Sequence, residues 1–108
     1  MRVLLDGCVP SRLADELQDH EVNTAPEMGW ADLDDGPLLD AMAERFDVLV
    51  TVDKSLPKQQ RIDNRPLAER VVVLRAKTNR LVDLLPLAPK LRAVLENARP
   101  GQVYEISG

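Results

Sequence analysis

The sequence predicts an α/β protein, a single three-layer domain with a mostly parallel central sheet of about five strands. Its strand candidates are apolar almost throughout, which is typical of strands buried on both faces of a sheet. Helical patterns separate most of these candidates, as parallel connections require. The length of 108 residues fits one domain over 1–108, and an apolar content of 44 % is enough for one core.

The first half of the chain alternates strands and helices. Leu13 and Leu17 are spaced as on a helix that Ser11 can cap. Asp34 or Asp35 can cap the next helix. The predicted elements are a strand over 2–6, a helix over 10–20, a strand over 21–25, a loop over 26–33, a helix over 34–46 and a strand over 47–53.

The second half begins with a polar, proline-containing loop over 54–66. Residues 69–76 form the most apolar strand candidate, and 79–98 are helical at both ends. Pro86 and Pro89 break the middle of that helix, because proline lacks the amide hydrogen that a helix interior needs. Residues 101–107 alternate imperfectly and predict a final edge strand.

Charge is distributed unevenly around a net value of −4. Residues 1–52 hold 3 basic and 12 acidic side chains, whereas 53–80 hold 8 basic and 3 acidic ones. A solvated surface explains this pattern without any function. The alternative is a phosphate-binding rim beside an acidic pocket that binds cations.

Carboxylates follow two of the buried strands. Asp6 ends the first strand and Asp53 follows the third, while Asp35 opens the helix that leads into the third strand. Because sites in parallel sheets gather at the carboxyl ends of the strands, we expect these three acids to lie together. Asp34 is the alternative to Asp35 as the third acid of this group. Each acid also has a purely structural interpretation, as a turn residue or a helix cap.

An acidic cluster of this kind suits Mg²⁺ or Mn²⁺, which prefer oxygen ligands and offset the repulsion between carboxylates. Such an ion activates water and stabilises a phosphodiester under attack. Thr51 can position a water or a phosphate, or can simply be a strand residue. Four cations after the third strand can attract a nucleic-acid backbone: Lys54, Lys58, Arg61 and Arg75.

The single cysteine, Cys8, cannot form an internal disulfide and predicts a reducing compartment. No histidine or second cysteine stands near it, so we expect neither a nucleophilic nor a zinc-binding role. The N-terminal apolar stretch is too short for a signal peptide, and no run is long enough for a membrane span. The sequence therefore predicts a soluble, cytoplasmic protein without a membrane partner.

Three segments, taken in order, carry a resemblance to the small PIN-like proteins of bacteria: "LLDGCVPSRL", "EMGWADLDDGPLLDAM" and "FDVLVTVDKSLPKQQ". The similarity continues through "VVVLRAKTNRLVDLLP". It implies a PIN-like domain over 1–108, of the kind found in toxin ribonucleases of toxin–antitoxin pairs. It also implies an RNA substrate, a Mg²⁺ or Mn²⁺ cofactor, a small antitoxin encoded nearby and a homodimer.

Carried over by motif, Asp6, Asp35 and Asp53 match the metal-binding acids of these proteins, and Thr51 is the polar companion in their catalytic site. The chain departs from them where relatives carry an acid directly after the first aspartate, because Gly7 stands there. A second acid after Asp53 is also missing. These departures imply weaker metal binding than in the relatives.

Two other functions compete with a ribonuclease. The first is a catalytically weak or inactive PIN-like module that acts by binding RNA or a protein partner. The second is a signalling domain in which Asp53 accepts a phosphoryl group. That alternative is weaker, because no lysine closes a later strand and Arg75 stands near the equivalent place.

Overall fold

The computed structural model describes residues 1–54 and 70–107, apart from the side chain of Asp35. The predictions made for Lys58 and Arg61 lie outside the described residues, as does most of the loop predicted over 54–66. The strands, helices and cores named below all lie within these two ranges.

A five-stranded, fully parallel sheet forms the centre of the molecule, as predicted. Its strands lie in the order β2-β1-β3-β4-β5. In register, Leu4 of β1 lies beside Leu49 of β3. The predicted edge position of the last strand is confirmed. The strands are β1 (Arg2–Leu5), β2 (Glu21–Thr24), β3 (Val48–Thr51), β4 (Arg70–Arg75) and β5 (Val103–Ser107).

Helical segments lie in the connections from β1 to β2, from β2 to β3 and from β4 to β5. The segment predicted as a helix over 10–20 is a 3₁₀ helix, Ser11–Leu17, and Ser11 does not cap it. Pro10 stands at the N-cap position instead and offers no side-chain acceptor. The other segments are α1 (Asp35–Met42), α2 (Leu81–Leu84), the 3₁₀ turn Leu85–Leu87 and α3 (Ala88–Asn97).

The proline break predicted near the C-terminus is confirmed. Pro86 lies in the 3₁₀ turn, and Pro89 lies in the first turn of α3, where its missing amide hydrogen costs nothing. The helix predicted over 34–46 ends earlier, at Met42. Asp34 occupies its N-cap position but makes no side-chain capping bond, so that predicted capping role is wrong.

Two hydrophobic cores lie on opposite faces of the sheet, which makes the domain three-layered as predicted. Val3 and Leu5 of β1 pack with the 3₁₀ helix, α2 and α3. Leu4, between them, packs on the other face with Leu39 and Met42 of α1. This alternation follows from the two-residue period of a strand, and it explains why the strands are apolar throughout.

Two of the crossover connections have opposite hands. The connections from β2 to β3 and from β4 to β5 both step in the same direction along the sheet. The first crosses the face covered by α1, whereas the second crosses the other face, where α2 and α3 contact the 3₁₀ helix. One of them therefore departs from the right-handed rule. As a result, the chain leaving β4 turns back toward the end of β1.

No helix in the described ranges has the length and apolar character needed to cross a membrane.

Candidate active site

The sheet changes direction between β1 and β3, and two predicted site residues lie at that point. From β1 the chain continues to β2 on one side, while β3 and later strands lie on the other. Asp6 directly follows β1, and Asp53 lies two residues beyond the end of β3. Ligands of parallel α/β sheets bind at this kind of switch point.

Asp6 is held by hydrogen bonds on both its backbone and its side chain. Its amide N–H donates to the carbonyl oxygen of Val50 at 2.9 Å, which continues the pairing of β1 with β3. Carboxylate Oδ1 accepts from the Gly7 amide at 2.8 Å, and Oδ2 accepts from the Thr51 hydroxyl at 2.7 Å. The carboxylate is therefore fixed in direction while the residue stays partly exposed.

Thr51 is fully buried and connects the two acidic positions. Its Oγ1 donates to Asp6 and accepts from the backbone N–H of Asp53 at 3.1 Å. Because a buried hydroxyl needs partners, these two bonds account for a polar residue at the end of an apolar strand. The sequence placed Thr51 beside a water or a phosphate, whereas its observed contacts orient Asp6.

Cys8 joins this cluster, which the sequence did not indicate. Its Sγ lies 3.5 Å from Asp6 Oδ2 and 3.7 Å from Thr51 Oγ1. Burial raises the pKa of the Cys8 thiol, an effect that a hydrogen bond from the Val52 backbone partly opposes. A protonated thiol is a weak donor, so Cys8 acts here as a third donor toward the aspartate. The only sequence signal was its two-residue spacing from Asp6.

The third predicted acid stands at the start of a helix. Asp35 begins α1, which lies on the same sheet face as Leu4 and Leu49. Since α1 follows β2 and precedes β3, its first turn lies toward the carboxyl edge of the sheet. The Asp35 side chain itself is outside the described part of the structure. Asp34, its competitor, is exposed.

The carboxylate oxygens at this edge of the sheet are ligands of the kind that Mg²⁺ or Mn²⁺ prefers. Asp6 and Asp53 are carboxylates, and Oδ1 of Asp6 keeps acceptor capacity beyond its bond to Gly7. Among side chains in the described ranges, no group of three histidine, cysteine, aspartate or glutamate residues is arranged to hold a metal. Two aspartates alone would leave several coordination places to water, which Mg²⁺ tolerates.

Of the four predicted nucleic-acid-binding cations, Lys54 and Arg75 lie within the described residues. Lys54 is exposed and directly follows Asp53. Arg75 ends β4 and forms an ion pair with Glu105 at 3.2 Å, so part of its charge is balanced. Lys58 and Arg61 belong to the segment outside the described residues.

A separate cleft of about 520 Å³ lies away from this cluster. It is lined by the end of the 3₁₀ helix and by α3, and it includes His20, whose Nδ1 is buried without a hydrogen-bond partner. Arg92 lines the cleft, donates a hydrogen bond to the backbone carbonyl of Glu16 at 3.2 Å and forms an ion pair with the Glu16 carboxylate at 3.9 Å. The cleft shares no residue with the Asp6–Thr51 cluster, and it is lined by none of the predicted site residues whose side chains the structure describes.

In the comparisons with known proteins, no family model, curated protein or solved structure matches this chain.

Proposed function

We propose that the chain is a metal-dependent ribonuclease of the PIN-like toxin type, which hydrolyses RNA phosphodiesters. The observation that supports this most is the hydrogen-bonded link from Asp6 through Thr51 to the backbone of Asp53, at the point where the strand order changes direction. Carboxylates directed to one rim of a parallel sheet can share a divalent cation. The free Cys8 fits a reducing compartment, and we propose the cytoplasm.

In this proposal the residues have separate roles. Asp6, Asp53 and Asp35 bind the cation, and Thr51 keeps the Asp6 carboxylate in one orientation. Mg²⁺ or Mn²⁺, when bound, lowers the pKa of a water and offsets charge on the phosphodiester. Lys54 attracts the RNA backbone beside the acids. A small antitoxin encoded nearby and a homodimer remain predictions of the PIN-like resemblance.

A second candidate is a PIN-like module that binds RNA or a protein partner without cutting. It is favoured by Gly7, which stands where relatives carry an acid, and by the lack of a three-ligand group within the described side chains. Two carboxylates bind a divalent cation more weakly than three or four. The same rim would then serve as a binding surface only.

Cleavage of a labelled RNA by the purified chain separates the two candidates. We expect cleavage with Mn²⁺, loss of cleavage with a chelator, and at least about a 100-fold loss in Asp6→Asn and in Asp53→Asn, since even residues outside the metal ligands are worth 10–100-fold. Asn is isosteric with Asp. In Asp6→Asn the amide oxygen can still accept from Thr51, and in Asp53→Asn the backbone N–H that donates to Thr51 is unchanged, so folding should be preserved.

Asp47→Asn is the matched control, because Asp47 is a hydrogen-bonded aspartate just before β3, at the opposite edge of the sheet. This variant should cut as the wild type does. If the wild type cuts at no Mn²⁺ concentration while RNA still binds, the ribonuclease proposal fails and the binding module takes its place. Equal losses in Asp6→Asn and Asp47→Asn would also overturn the assigned site.

A further inference from the structure

A short basic loop follows β4 at the same edge of the sheet as Asp6. The basic loop comprises residues 77–80, with Lys77 and Arg80 as its two cations, and all four of its residues are exposed. It leads directly into α2, which begins at Leu81. Its position therefore puts two positive charges at the edge where the Asp6 cluster lies.

Asn79 joins this loop to the turn that carries Asp6. Its side-chain Nδ2 donates to the backbone carbonyl of Cys8 at 3.0 Å, across 71 positions of sequence. That turn is itself closed by a hydrogen bond from the Val9 amide to the Asp6 carbonyl at 2.9 Å. The contact follows from the path of the chain, which turns back from β4 toward the end of β1.

The loop is also fixed internally. Thr78 Oγ1 accepts from the Arg80 amide at 3.1 Å and donates to the carboxylate of Asp83. The Asp83 amide donates to the Arg80 carbonyl at 3.0 Å. Because these bonds order the backbone during folding, a ligand that binds the loop does not have to order it again.

The two loop cations differ from Arg75 in how their charge is balanced. Arg75 is paired with Glu105 at 3.2 Å. Within residues 1–54 and 70–107, neither Lys77 nor Arg80 takes part in an ion pair. Exposed cations without a carboxylate partner keep their full charge for an external anion, and phosphate is the anion that lines an RNA strand.

We propose that Lys77 and Arg80 bind backbone phosphates of the RNA, and that Asn79 is a positioning residue that holds these cations beside Asp6. This inference rests on the proposed function, specifically on the RNA binding that both of its candidates share. It adds Lys77 and Arg80 to the four cations that the sequence indicated, which are Lys54, Lys58, Arg61 and Arg75.

The first experiment measures binding of a labelled single-stranded RNA oligonucleotide to the full chain in chelator, at several salt concentrations. Each phosphate contact on a single strand adds about 0.7 to the salt slope, which is worth roughly fivefold in affinity near 0.1 M salt. We expect Lys77→Ala and Arg80→Ala each to raise Kd by about fivefold and to lower the slope by about 0.7.

Arg99→Ala is the matched control for these variants. Arg99 is an exposed arginine between α3 and β5, at the opposite edge, and its backbone N–H keeps its bond to the Tyr104 hydroxyl whatever the side chain. Arg99→Ala removes the same charge as the loop variants, but at the opposite edge, away from the basic loop. Its Kd and salt slope should therefore stay close to the wild-type values. Equal effects in all three variants would overturn the assignment, because only net charge would then matter.

The second experiment tests the positioning role of Asn79. Asn79→Ala is compared with Asn97→Ala, which removes another exposed asparagine whose Nδ2 donates to a backbone carbonyl, that of Ala93 at 3.1 Å. We expect Asn79→Ala to raise Kd by about threefold with an unchanged salt slope, since no charge is lost. Asn97→Ala should leave Kd unchanged, and thermal unfolding should show that both variants fold.

The outcomes separate this inference from the ribonuclease proposal. If the wild type cuts RNA while Lys77→Ala and Arg80→Ala bind as Arg99→Ala does, the basic loop is not the phosphate site, although the ribonuclease proposal stands. If the wild type does not cut but the loop variants lose binding as expected, the inference stands with the binding module. If the wild type binds no RNA, both are overturned.

Discussion

Two aspartates at opposite edges of the sheet have very different surroundings. Asp47, just before β3, accepts from the backbone N–H of Arg2 at 2.8 Å and pairs with the Arg2 guanidinium at 3.4 Å. The backbone hydrogen bond from Arg2 is the main reason that the pKa of Asp47 lies below its usual value. Asp6, just after β1, accepts from a hydroxyl, a thiol and an amide.

The difference concerns how each negative charge is balanced. The charge of Asp47 is balanced by a cation of the same chain, so the pair acts as a structural link between β1 and the start of β3. Asp6 contacts only neutral donors among the described residues. A carboxylate that is oriented by neutral groups keeps its charge for a cation from outside, whereas a paired one does not.

Removing the hydroxyl of Thr51 should have the largest effect, because it removes one of the neutral donors that distinguish Asp6 from Asp47. In Thr51→Val, Asp6 loses a donor and the Asp53 amide loses its acceptor, while the shape is nearly kept. We expect a loss of about 1–3 kcal/mol in unfolding free energy. Any RNA cleavage should fall by about 10–100-fold, as for residues that orient metal ligands. Urea unfolding and initial cleavage rates measure the two effects.

Thr24→Val is the matched control, since Thr24 is the other buried threonine of the described residues and its Oγ1 accepts from the Glu27 amide at 3.2 Å. It should lose stability without a comparable loss of cleavage. Thr51→Ser keeps the hydroxyl and should restore most of the activity. A Thr51→Val protein as active as Thr24→Val would contradict the role given to Thr51.

Adding a carboxylate beside Asp6 should strengthen cation binding at this edge of the sheet, which tests whether the Asp6 charge is available to an external cation. A side chain at Gly7 meets no atom within 4 Å of its Cβ, and the backbone there is not in the left-handed region. Gly7→Glu can therefore supply a second acid directly beside Asp6. We expect Mn²⁺ affinity to rise by at least about tenfold, because affinity grows with the number of charged ligands. Calorimetric titration with Mn²⁺ measures it.

Gly7→Gln is the control for this change, because it adds a side chain of the same length without the charge. It should leave Mn²⁺ affinity near that of the wild type. A Gly7→Glu protein that binds Mn²⁺ no more tightly than Gly7→Gln would show that the Asp6 carboxylate is not part of a cation site.

The sheet could be predicted from the sequence because the patterns that indicate buried strands lie within short segments of the chain. Continuous apolar runs identify buried strands, and Pro86 and Pro89 identify the break before α3. The sequence did not predict that residues 11–17 form a 3₁₀ helix, because two apolar residues about one turn apart are compatible with either kind of helix. The opposite hands of two crossovers were also not predictable, because handedness depends on which face each helix covers.

For the candidate site, the sequence predicted that Asp6 and Asp53 follow the first and third strands, and the structure has both at those positions. Cys8 and Asn79 were not predicted, because their roles depend on contacts between distant parts of the chain. Asn79 reaches the Cys8 carbonyl only because the chain leaving β4 turns back across the sheet. Thr51 was expected to position a water or a phosphate, or to be only a strand residue. Its bond to Asp6 was not predicted, because it depends on the pairing of β1 with β3.

The smallest expected effect lies at the amino edge and concerns pH. Because the folded-state pKa of Asp47 is lowered, its charge stabilises the fold above the pKa of the unfolded chain, near 4. That contribution is lost as the pH falls through the folded-state pKa.

Asp47→Asn should therefore be less stable than the wild type at pH 7, by less than about 1 kcal/mol because the pair is partly exposed. The difference should close at an acid pH below the folded-state pKa, because the wild-type carboxyl is then protonated too. Urea unfolding at both pH values measures it, with Asp32→Asn, an exposed carboxylate in the turn before α1, as the control that should change little at either pH. A difference of the same size at both pH values would mean that the side chain stabilises this edge through its shape and neutral hydrogen bonding, and the contrast in charge balance between Asp47 and Asp6 would then be lost.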